Sequence, residues 1–144
     1  MKLVIDASVL IKFYLPEILA DRAERLLARV ERGEVTLCAP DLIYPEVGNI
    51  LWKKERLKEL SRSEVGAIAE VIGVLPITVE GSKPLLPLAV EIGVGYGITV
   101  YDAMYVSLAK VYEITLVTAD RKLVDRMAKG DFKKSLVWLG HYEE

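Results

Sequence analysis

Four acidic side chains and two hydroxyls occupy positions where the fold could gather them into one oxygen-rich site. They are Asp6, Ser8, Glu46, Asp102, Thr118 and Asp120. Carboxylates seldom enter a protein interior unpaired, because stripping water from an isolated ionised group is costly. Several carboxylates in a small volume also repel one another, and a hard divalent cation such as Mg²⁺ resolves that conflict because it prefers oxygen ligands. We therefore expect a magnesium site suited to phosphoryl transfer or phosphodiester hydrolysis.

The three aspartates each have a second, purely structural interpretation. Asp6 follows a short apolar strand and suits a turn or a helix cap. Thr99 and Asp102 stand three residues apart, in the pattern of a capping box. Asp120 can cap the helix that follows it. Both interpretations stay open for each aspartate, so the predicted site depends on all three meeting at one place.

Glu46 is harder to explain as a structural residue. It lies three residues after Ile43 and four before Ile50, on or beside the inward stripe of its predicted helix. An inward acid needs a partner, and the nearest cations along that helix, Lys53 and Lys54, are two turns away. Glu46 is therefore predicted to be a fourth ligand, either direct or through a water molecule.

Other catalytic chemistries lack the residues that they require. Cys38 and His141 are the only cysteine and histidine. No intrachain disulfide, cysteine zinc site, Ser-His pair or Cys-His pair is therefore expected. Gly93, Gly95 and Gly97 end a predicted helix instead of following a strand, which argues against a dinucleotide-binding fingerprint.

A group of basic residues follows Asp120. It comprises Arg121, Lys122, Arg126, Lys129, Lys133 and Lys134, with Asp125 among them. The chain has 19 basic and 21 acidic residues and a net charge of -2, so no global basic field indicates a nucleic acid partner. We interpret the basic residues as a solvated face in preference to a phosphate-binding patch, and Asp125 as a surface residue.

Apolar strands alternate with helical stretches along the chain. Strands are predicted at residues 2–6, 35–39, 75–79, 114–117 and 135–139, and helices at 17–32, 41–57, 61–73, 82–97, from 99 onward and at 121–129. Asp41 is the predicted cap of the second of these helices. Continuous apolar strands indicate a parallel sheet covered on both faces, with a site beyond the carboxyl ends of the strands. The length and the 52% apolar content indicate a single α/β domain over residues 1–144.

Four blocks of the sequence together resemble the PIN domain family of metal-dependent ribonucleases. They are DASVLIKFYLPE from Asp6, APDLIYPEVGNILWKK around Glu46, ITVYDAMYVSLA around Asp102 and LVTADRKL around Asp120. The resemblance covers essentially the whole chain and is closest to the VapC-type toxins of prokaryotic toxin–antitoxin pairs. It implies a three-layer α/β/α sandwich with a mainly parallel five-stranded sheet. Pro45, directly before Glu46, departs from the small residue that is more usual in that family.

The resemblance also implies a function. The acids that would bind Mg²⁺ or Mn²⁺ and cleave RNA with a metal-activated water are Asp6, Glu46, Asp102 and Asp120, with Ser8 and Thr118 as supporting hydroxyls. The implied partners are the RNA substrate, a small antitoxin protein and a second copy of the chain in a homodimer. No segment suits a signal peptide or a membrane span, so we expect a cytoplasmic protein.

Two alternative functions stay open. The first is a catalytically silent PIN-fold module that binds RNA or a protein partner. The second is a small-molecule phosphohydrolase, although the first strand lacks the second acid, two residues on, that a phospho-aspartate mechanism is expected to need.

Overall fold

Five short strands form one parallel sheet in the computed structural model, which describes residues 1–143. The strands β1 to β5 span Lys2–Ile5, Thr36–Pro40, Ile77–Glu80, Thr115–Thr118 and Leu136–Trp138. Their order across the sheet is β3-β2-β1-β4-β5, and every pairing is parallel. The predicted five-stranded α/β architecture is confirmed.

Seven α-helices within the described residues flank this sheet and complete a three-layer sandwich. The helices α1 to α7 span Ala7–Leu10, Ala20–Glu31, Ile43–Arg56, Arg62–Val74, Leu86–Tyr96, Val100–Tyr112 and Arg121–Met127. Short 3₁₀ turns span Ile11–Phe13, Lys83–Leu85, Lys133–Ser135 and Leu139–His141. Parallel neighbours in a sheet need a crossover connection, which explains why helical segments separate successive strands.

The order of the strands reverses at β1, which has β2 on one side and β4 on the other. Ile5, the last residue of β1, is level with Val117 in β4. Open α/β sheets bind their ligands at such a reversal, beyond the carboxyl ends of the strands. Asp6 directly follows β1 and Thr118 ends β4, so both lie at the edge where a site is expected.

The centre of the molecule is built from β1, β4 and helix α6. Val4, Ile5, Leu116 and Val117 have 0% of their surface exposed. Residues 103–109 of α6 are all buried, and the helix contacts α5, β1, β2 and β4. The prediction of a buried central helix is confirmed for these seven residues. Asp102 directly precedes this buried stretch.

Local capping signals in the sequence are largely realised. Ser61 and Glu64 form both hydrogen bonds of the predicted capping box at the start of α4. Helix α5 ends at Gly97, which has a φ of +65°. Glycine adopts this left-handed conformation without the steric cost that a side chain imposes.

The predicted cap at Asp41 is wrong. Helix α3 begins at Ile43 after Leu42, and that end of the helix has no side-chain cap hydrogen bond. The backbone N–H of Asp41 instead donates to the carbonyl of Glu80 at 2.8 Å, which ties the residue to the end of β3. Asp41 thus lies at the sheet edge, and the helix starts later than a cap at this position would require. Pro45 lies in the first turn of α3, as predicted, where a helix needs no N–H from it.

Other predicted boundaries also shift, and three of them have a visible local cause. The helix predicted at 17–32 starts at Ala20, because Leu19 has a left-handed backbone with a φ of 68° and cannot continue it backwards. The strand predicted at 75–79 starts at Ile77, since Leu75 still accommodates the end of α4. The strand predicted at 135–139 is confined to Leu136–Trp138 by a 3₁₀ turn on each side.

No single helix in residues 1–143 combines the length and the apolar composition needed to span a membrane. Within the same residues, one pair of segments, Lys83–Tyr96 and Val100–Tyr112, meets those two criteria jointly, and the pair is bent by 116°.

Candidate active site

Asp6 is buried at the junction of β1 and α1, with 7% of its surface exposed. Its Oδ1 accepts hydrogen bonds from the Ser8 hydroxyl at 2.5 Å and from the Val9 N–H at 3.2 Å, so it caps α1. Its Oδ2 accepts a hydrogen bond from the Thr118 hydroxyl. Burial raises the pKa of Asp6 to about 6, although these three donors act to lower it. The helix-cap interpretation is confirmed, and the environment nevertheless disfavours the ionised form.

The two predicted hydroxyls join the ends of β1 and β4. Ser8 Oγ accepts a hydrogen bond from the Ala119 N–H at 3.0 Å, and Thr118 Oγ1 accepts one from the Asp120 N–H at 3.1 Å. The two hydroxyl oxygens are 3.5 Å apart. Each hydroxyl thus donates to Asp6 while it accepts from the β4–α7 segment. The carboxylate of Asp6 and the backbone leading to Asp120 are held in one hydrogen-bonded unit.

Asp102 lies in the first turn of α6, behind the cap residue Thr99. Thr99 Oγ1 accepts a hydrogen bond from the Asp102 N–H at 3.1 Å, which confirms the capping half of the predicted pattern. Burial raises the pKa of Asp102, and the charge of Asp120 raises it further. The cap thus places a partly buried carboxylate beside a second one.

Asp120 caps helix α7 and is exposed to solvent. Its Oδ1 accepts hydrogen bonds from the Lys122 N–H at 3.0 Å and the Leu123 N–H at 3.3 Å. Its Oδ2 accepts no hydrogen bond from the residues that the structure describes. One oxygen is therefore used by the helix, and the other stays available to a ligand.

Glu46 finds its partner in Tyr105, a residue that the sequence did not single out. The Tyr105 hydroxyl donates to Glu46 Oε1 at 2.5 Å, across 59 positions of the chain. Burial raises the pKa of Glu46, the hydrogen bond lowers it, and the charge of Asp102 raises it. Burial and the neighbouring acids raise the pKa of Tyr105 far above its usual value, so the hydroxyl stays a donor at neutral pH.

A signal for Tyr105 was present in the sequence. It stands three residues after Asp102, so both project from neighbouring turns on one side of α6. A tyrosine inside a protein normally needs a hydrogen-bond partner for its hydroxyl. With Glu46 also lacking a partner, the two unsatisfied groups could have been matched.

The four acids are linked electrostatically, with Asp102 at the centre. The charge of Asp102 raises the pKa of both Asp6 and Glu46, and the charge of Asp120 raises that of Asp102. No lysine or arginine that the structure describes forms an ion pair with any of the four. The negative charge of the cluster is therefore not neutralised by the protein.

These donors fit a hydrated hard cation better than a fully protein-enclosed one. Within residues 1–143, no three acidic, histidine or cysteine side chains stand close enough to enclose a metal ion as they are placed. Magnesium, however, keeps several waters and is usually bound through one or two carboxylates. Oδ2 of Asp120 and Oε2 of Glu46 accept no hydrogen bond from described residues, so oxygen donors remain for such an ion. The chemistry of the donor set thus fits magnesium.

Comparison with known proteins identifies the family. The family model described as PIN domain matches residues 3–130. The chain belongs to the PIN domain family. A protein named Ribonuclease VapC3, from Pyrobaculum aerophilum, is 34% identical over 128 residues, which cover 88% of this chain and 95% of that protein.

Solved structures show the same fold in other PIN-like chains. The crystal structure of PAE2754 from Pyrobaculum aerophilum has a TM-score of 0.72 at 24% identity and covers 97% of this chain and 85% of that one. A toxin–antitoxin complex from Klebsiella pneumoniae contains a chain with a TM-score of 0.59 at 14% identity, and 98% of each chain is covered. At these identities the likeness concerns the fold.

The basic residues after Asp120 do not form one face of this PIN domain. The Arg121 guanidinium lies 4.7 Å from the centre of the Trp138 ring, in a cation–π contact. Lys134 borders a separate recess beside the end of α6. Lys122, Arg126 and Lys129 line one groove together with Asp125. Asp125 is exposed, as predicted, and lies among these cations.

Replacing Tyr105 by Phe tests how the PIN domain holds Glu46. The substitution removes one buried hydroxyl, and the ring keeps its packing. We expect the pKa of Glu46 to rise further, because the donor that lowers it is gone. The free energy of unfolding should fall by about 1 kcal/mol, and magnesium affinity should weaken about tenfold.

The measurement for Tyr105→Phe combines chemical denaturation with a magnesium titration at pH 6 and pH 8. The affinity loss should be larger at pH 6, where the extra protonation of Glu46 competes with the ion. Tyr142→Phe is the matched control, because Tyr142 donates to Met1 away from the acids. An equal loss of affinity at both pH values would show that the hydroxyl acts by positioning Glu46 and not by shifting its pKa, and an unchanged affinity at both would show that it does neither.

Proposed function

We propose that this chain is a magnesium-dependent endoribonuclease that acts as the toxin of a type II toxin–antitoxin pair. One observation carries the proposal: four carboxylates are coupled electrostatically around Asp102, at the carboxyl edge of the sheet. Among the residues that the structure describes, no lysine or arginine forms an ion pair with them. The 34% identity to Ribonuclease VapC3 supports ribonuclease activity. In this proposal, residues 1–144 form a single PIN domain.

Asp6, Asp102 and Asp120 would hold Mg²⁺ or Mn²⁺, with Glu46 binding directly or through water. A bound ion would supply Lewis-acid activation of a water nucleophile and charge neutralisation at the scissile phosphate. Because the negative charge is gathered in advance, ion binding relieves a repulsion that the folded protein already bears.

The other residues of the site orient these carboxylates. Ser8 and Thr118 fix the rotamer of Asp6 by donating to both of its oxygens. Tyr105 fixes Glu46 through one oxygen and leaves the other without a described donor. Orientation of this kind matters because the reaction rate falls when a catalytic group is displaced by an ångström or less. No side-chain nucleophile is needed.

RNA cleavage by the purified chain tests the proposal. The chain is incubated with a mixture of labelled single-stranded RNA oligonucleotides in Mg²⁺, in Mn²⁺ and in EDTA, and the products are resolved on a gel. We expect internal cleavage with either ion and none in EDTA. Products that form equally in EDTA would contradict the magnesium dependence. No cleavage of any RNA, including total cellular RNA, would favour the catalytically silent module instead.

The partners follow from the same proposal. A small antitoxin protein would bind the toxin, in keeping with the shared fold of a chain in the Klebsiella pneumoniae toxin–antitoxin complex. The toxin would act in the cytoplasm as a homodimer. Light scattering of the chain alone and with the protein encoded directly upstream would measure both assemblies.

A further inference from the structure

An open groove of about 890 Å³ lies between helix α7 and the end of helix α5. Its lining residues are Gly95, Tyr96, Lys122, Asp125, Arg126 and Lys129. Three of these six residues are cationic and one is acidic, in a chain whose net charge is -2. The groove is therefore a local basic surface on a protein that is acidic as a whole.

The groove begins beside the two segments that carry Asp102 and Asp120. Arg126 Nη1 donates to the carbonyl of Gly97 at 3.0 Å, two residues before the cap of the Asp102 helix. At the other side, the Lys122 N–H donates to Asp120 itself. The basic surface and the acid cluster are thus built on the same two helix starts.

The side chains of the two lysines in this groove make no polar contact that stabilises the fold within the part of the chain that the structure describes. The side-chain amines of Lys122 and Lys129 are exposed and form no hydrogen bond or ion pair with residues 1–143. Arg126 uses one of its five N–H donors on Gly97. Most of the positive charge is therefore available to a ligand from solution.

We propose that this groove binds the phosphate backbone of an RNA strand and presents it to the acid cluster. Lys122, Arg126 and Lys129 contact phosphates, and Tyr96, whose ring makes a T-shaped contact with Phe132, forms part of the wall of the groove. The inference rests on the proposed ribonuclease function and assigns residues that position its substrate.

An acidic protein segment fits the location less well than RNA. Any ligand in the groove lies next to four carboxylates, none of which is ion-paired with a lysine or arginine that the structure describes. These carboxylates repel any polyanion. An acidic peptide offers them nothing to act on, whereas an RNA strand brings the phosphodiester that the cluster is proposed to cleave. Phosphate contacts carry no sequence information, so the groove contributes affinity for RNA of any sequence.

Binding of RNA without cleavage tests the groove separately from the reaction. A fluorescein-labelled single-stranded RNA is titrated with protein in EDTA, and anisotropy is followed at several salt concentrations. We expect Lys122→Ala and Lys129→Ala each to weaken binding about fivefold. Each should also reduce the slope of log affinity against log salt by about 0.7, because one phosphate contact to a single strand is lost.

Lys2→Ala is the matched control for these variants. Lys2 is an exposed lysine at the amino end of β1, the opposite edge of the sheet from the groove. Its removal subtracts the same charge, so a merely global electrostatic effect would weaken RNA binding equally. We expect no change in the salt slope.

Gly95→Leu blocks the groove without removing charge. A Cβ at Gly95 meets no atom within 4 Å, and the residue lies in α5, where leucine is a better helix former than glycine. We expect the melting temperature to stay the same or rise while RNA affinity falls about tenfold or more. An unchanged or higher melting temperature together with a lower RNA affinity shows that the groove is blocked and that the fold is intact.

Several outcomes would overturn the proposal that the groove binds RNA. They are absent RNA binding by the unaltered chain, wild-type affinity in all three groove variants, and a fall in Lys2→Ala as large as theirs. Polyglutamate that binds as tightly as RNA, and is weakened by the same variants, would assign the groove to an acidic protein. If RNA binding depends on the groove but no cleavage occurs in Mg²⁺, only the proposed ribonuclease activity is rejected. If all groove variants retain full cleavage, only the proposed RNA-binding role of the groove is rejected.

Discussion

Replacing Asp102 by Asn is expected to reduce magnesium-dependent RNA cleavage by on the order of 100-fold or more. Asp102 is the acid whose charge reaches both Asp6 and Glu46, and it is itself coupled to Asp120. Asparagine keeps the shape and the backbone cap from Thr99, but it removes the central negative charge that attracts the ion. Initial cleavage rates at saturating RNA and several magnesium concentrations measure the loss.

Asp21→Asn is the matched control for Asp102→Asn. Asp21 lies in α2 with 73% of its side chain exposed and forms a 3.7 Å ion pair with Arg25. Such exposed pairs contribute little to stability, so this variant should cleave RNA at the wild-type rate. Full activity in Asp102→Asn, with an unchanged dependence on magnesium, would contradict the role assigned to the cluster.

Replacing Asp6 by Asn is expected to stabilise the metal-free protein at neutral pH by about 3 kcal/mol. Burial raises the pKa of Asp6 from its ordinary 3.8 to about 6. A raised carboxyl pKa gives stability that is fully present below pH 3.8 and is lost as the pH rises through about 6. At pH 7.5 the wild-type protein therefore bears an ionised buried carboxylate. The variant has a neutral amide at this position and does not bear that cost.

The amide of Asp6→Asn can keep most of the local hydrogen bonds. Its oxygen can accept from Ser8 and Val9 as the carboxylate does, and its NH₂ can donate to Thr118 Oγ1, which has a second lone pair. The Thr118 hydroxyl proton loses its acceptor on Asp6, and Ser8 Oγ lies 3.5 Å away in its place. The gain of about 3 kcal/mol is therefore an upper value, from which the cost of this weakened hydrogen bond is subtracted.

Denaturant unfolding in EDTA at pH 4.0 and pH 7.5 measures this effect of Asp6→Asn. The variant should exceed the wild type at pH 7.5 and match it closely at pH 4.0, and magnesium should narrow or reverse the difference. The exposed control Asp21→Asn should follow the wild type at both pH values. An Asp6→Asn variant that is less stable at pH 7.5 in EDTA would show that the Asp6 carboxylate contributes more through its hydrogen bonds than burial costs.

The fold was predictable because its signals are local and repeated. The apolar runs that become β1, β2 and β4 are bounded by polar or small residues, and the Ser61–Glu64 capping box and Gly97 mark helix ends within a few positions. Prediction erred at an element boundary. Asp41 has the composition of a cap, yet the helix begins only at Ile43, and the Asp41 N–H donates to Glu80 at the end of a strand 39 positions away along the chain.

The candidate site was predictable in its members but not in its connections. Asp6, Asp102 and Asp120 were recognisable from their places at strand and helix ends, and each proved to lie at a capped helix start. The partnership of Glu46 with Tyr105 was not predicted, because it joins two helices 59 positions apart and only the lack of a local partner for each side chain points to it. The division of the basic residues into a groove and a Trp138 contact likewise depends on how α7 packs.

Thermal melting of the wild-type chain against magnesium concentration tests most directly whether Asp6, Glu46, Asp102 and Asp120 form a cation site. A ligand that binds only the folded state adds RT ln(1 + [L]/Kd) to its stability, or about 1.4 kcal/mol at an ion concentration tenfold above Kd. For a chain of this size that corresponds to a rise of roughly 3–6 °C. We predict a saturable rise for the wild type and for Asp21→Asn, and none for Asp102→Asn. A melting temperature that stays flat to about 10 mM magnesium in the wild type, or rises equally in Asp102→Asn, would contradict the site.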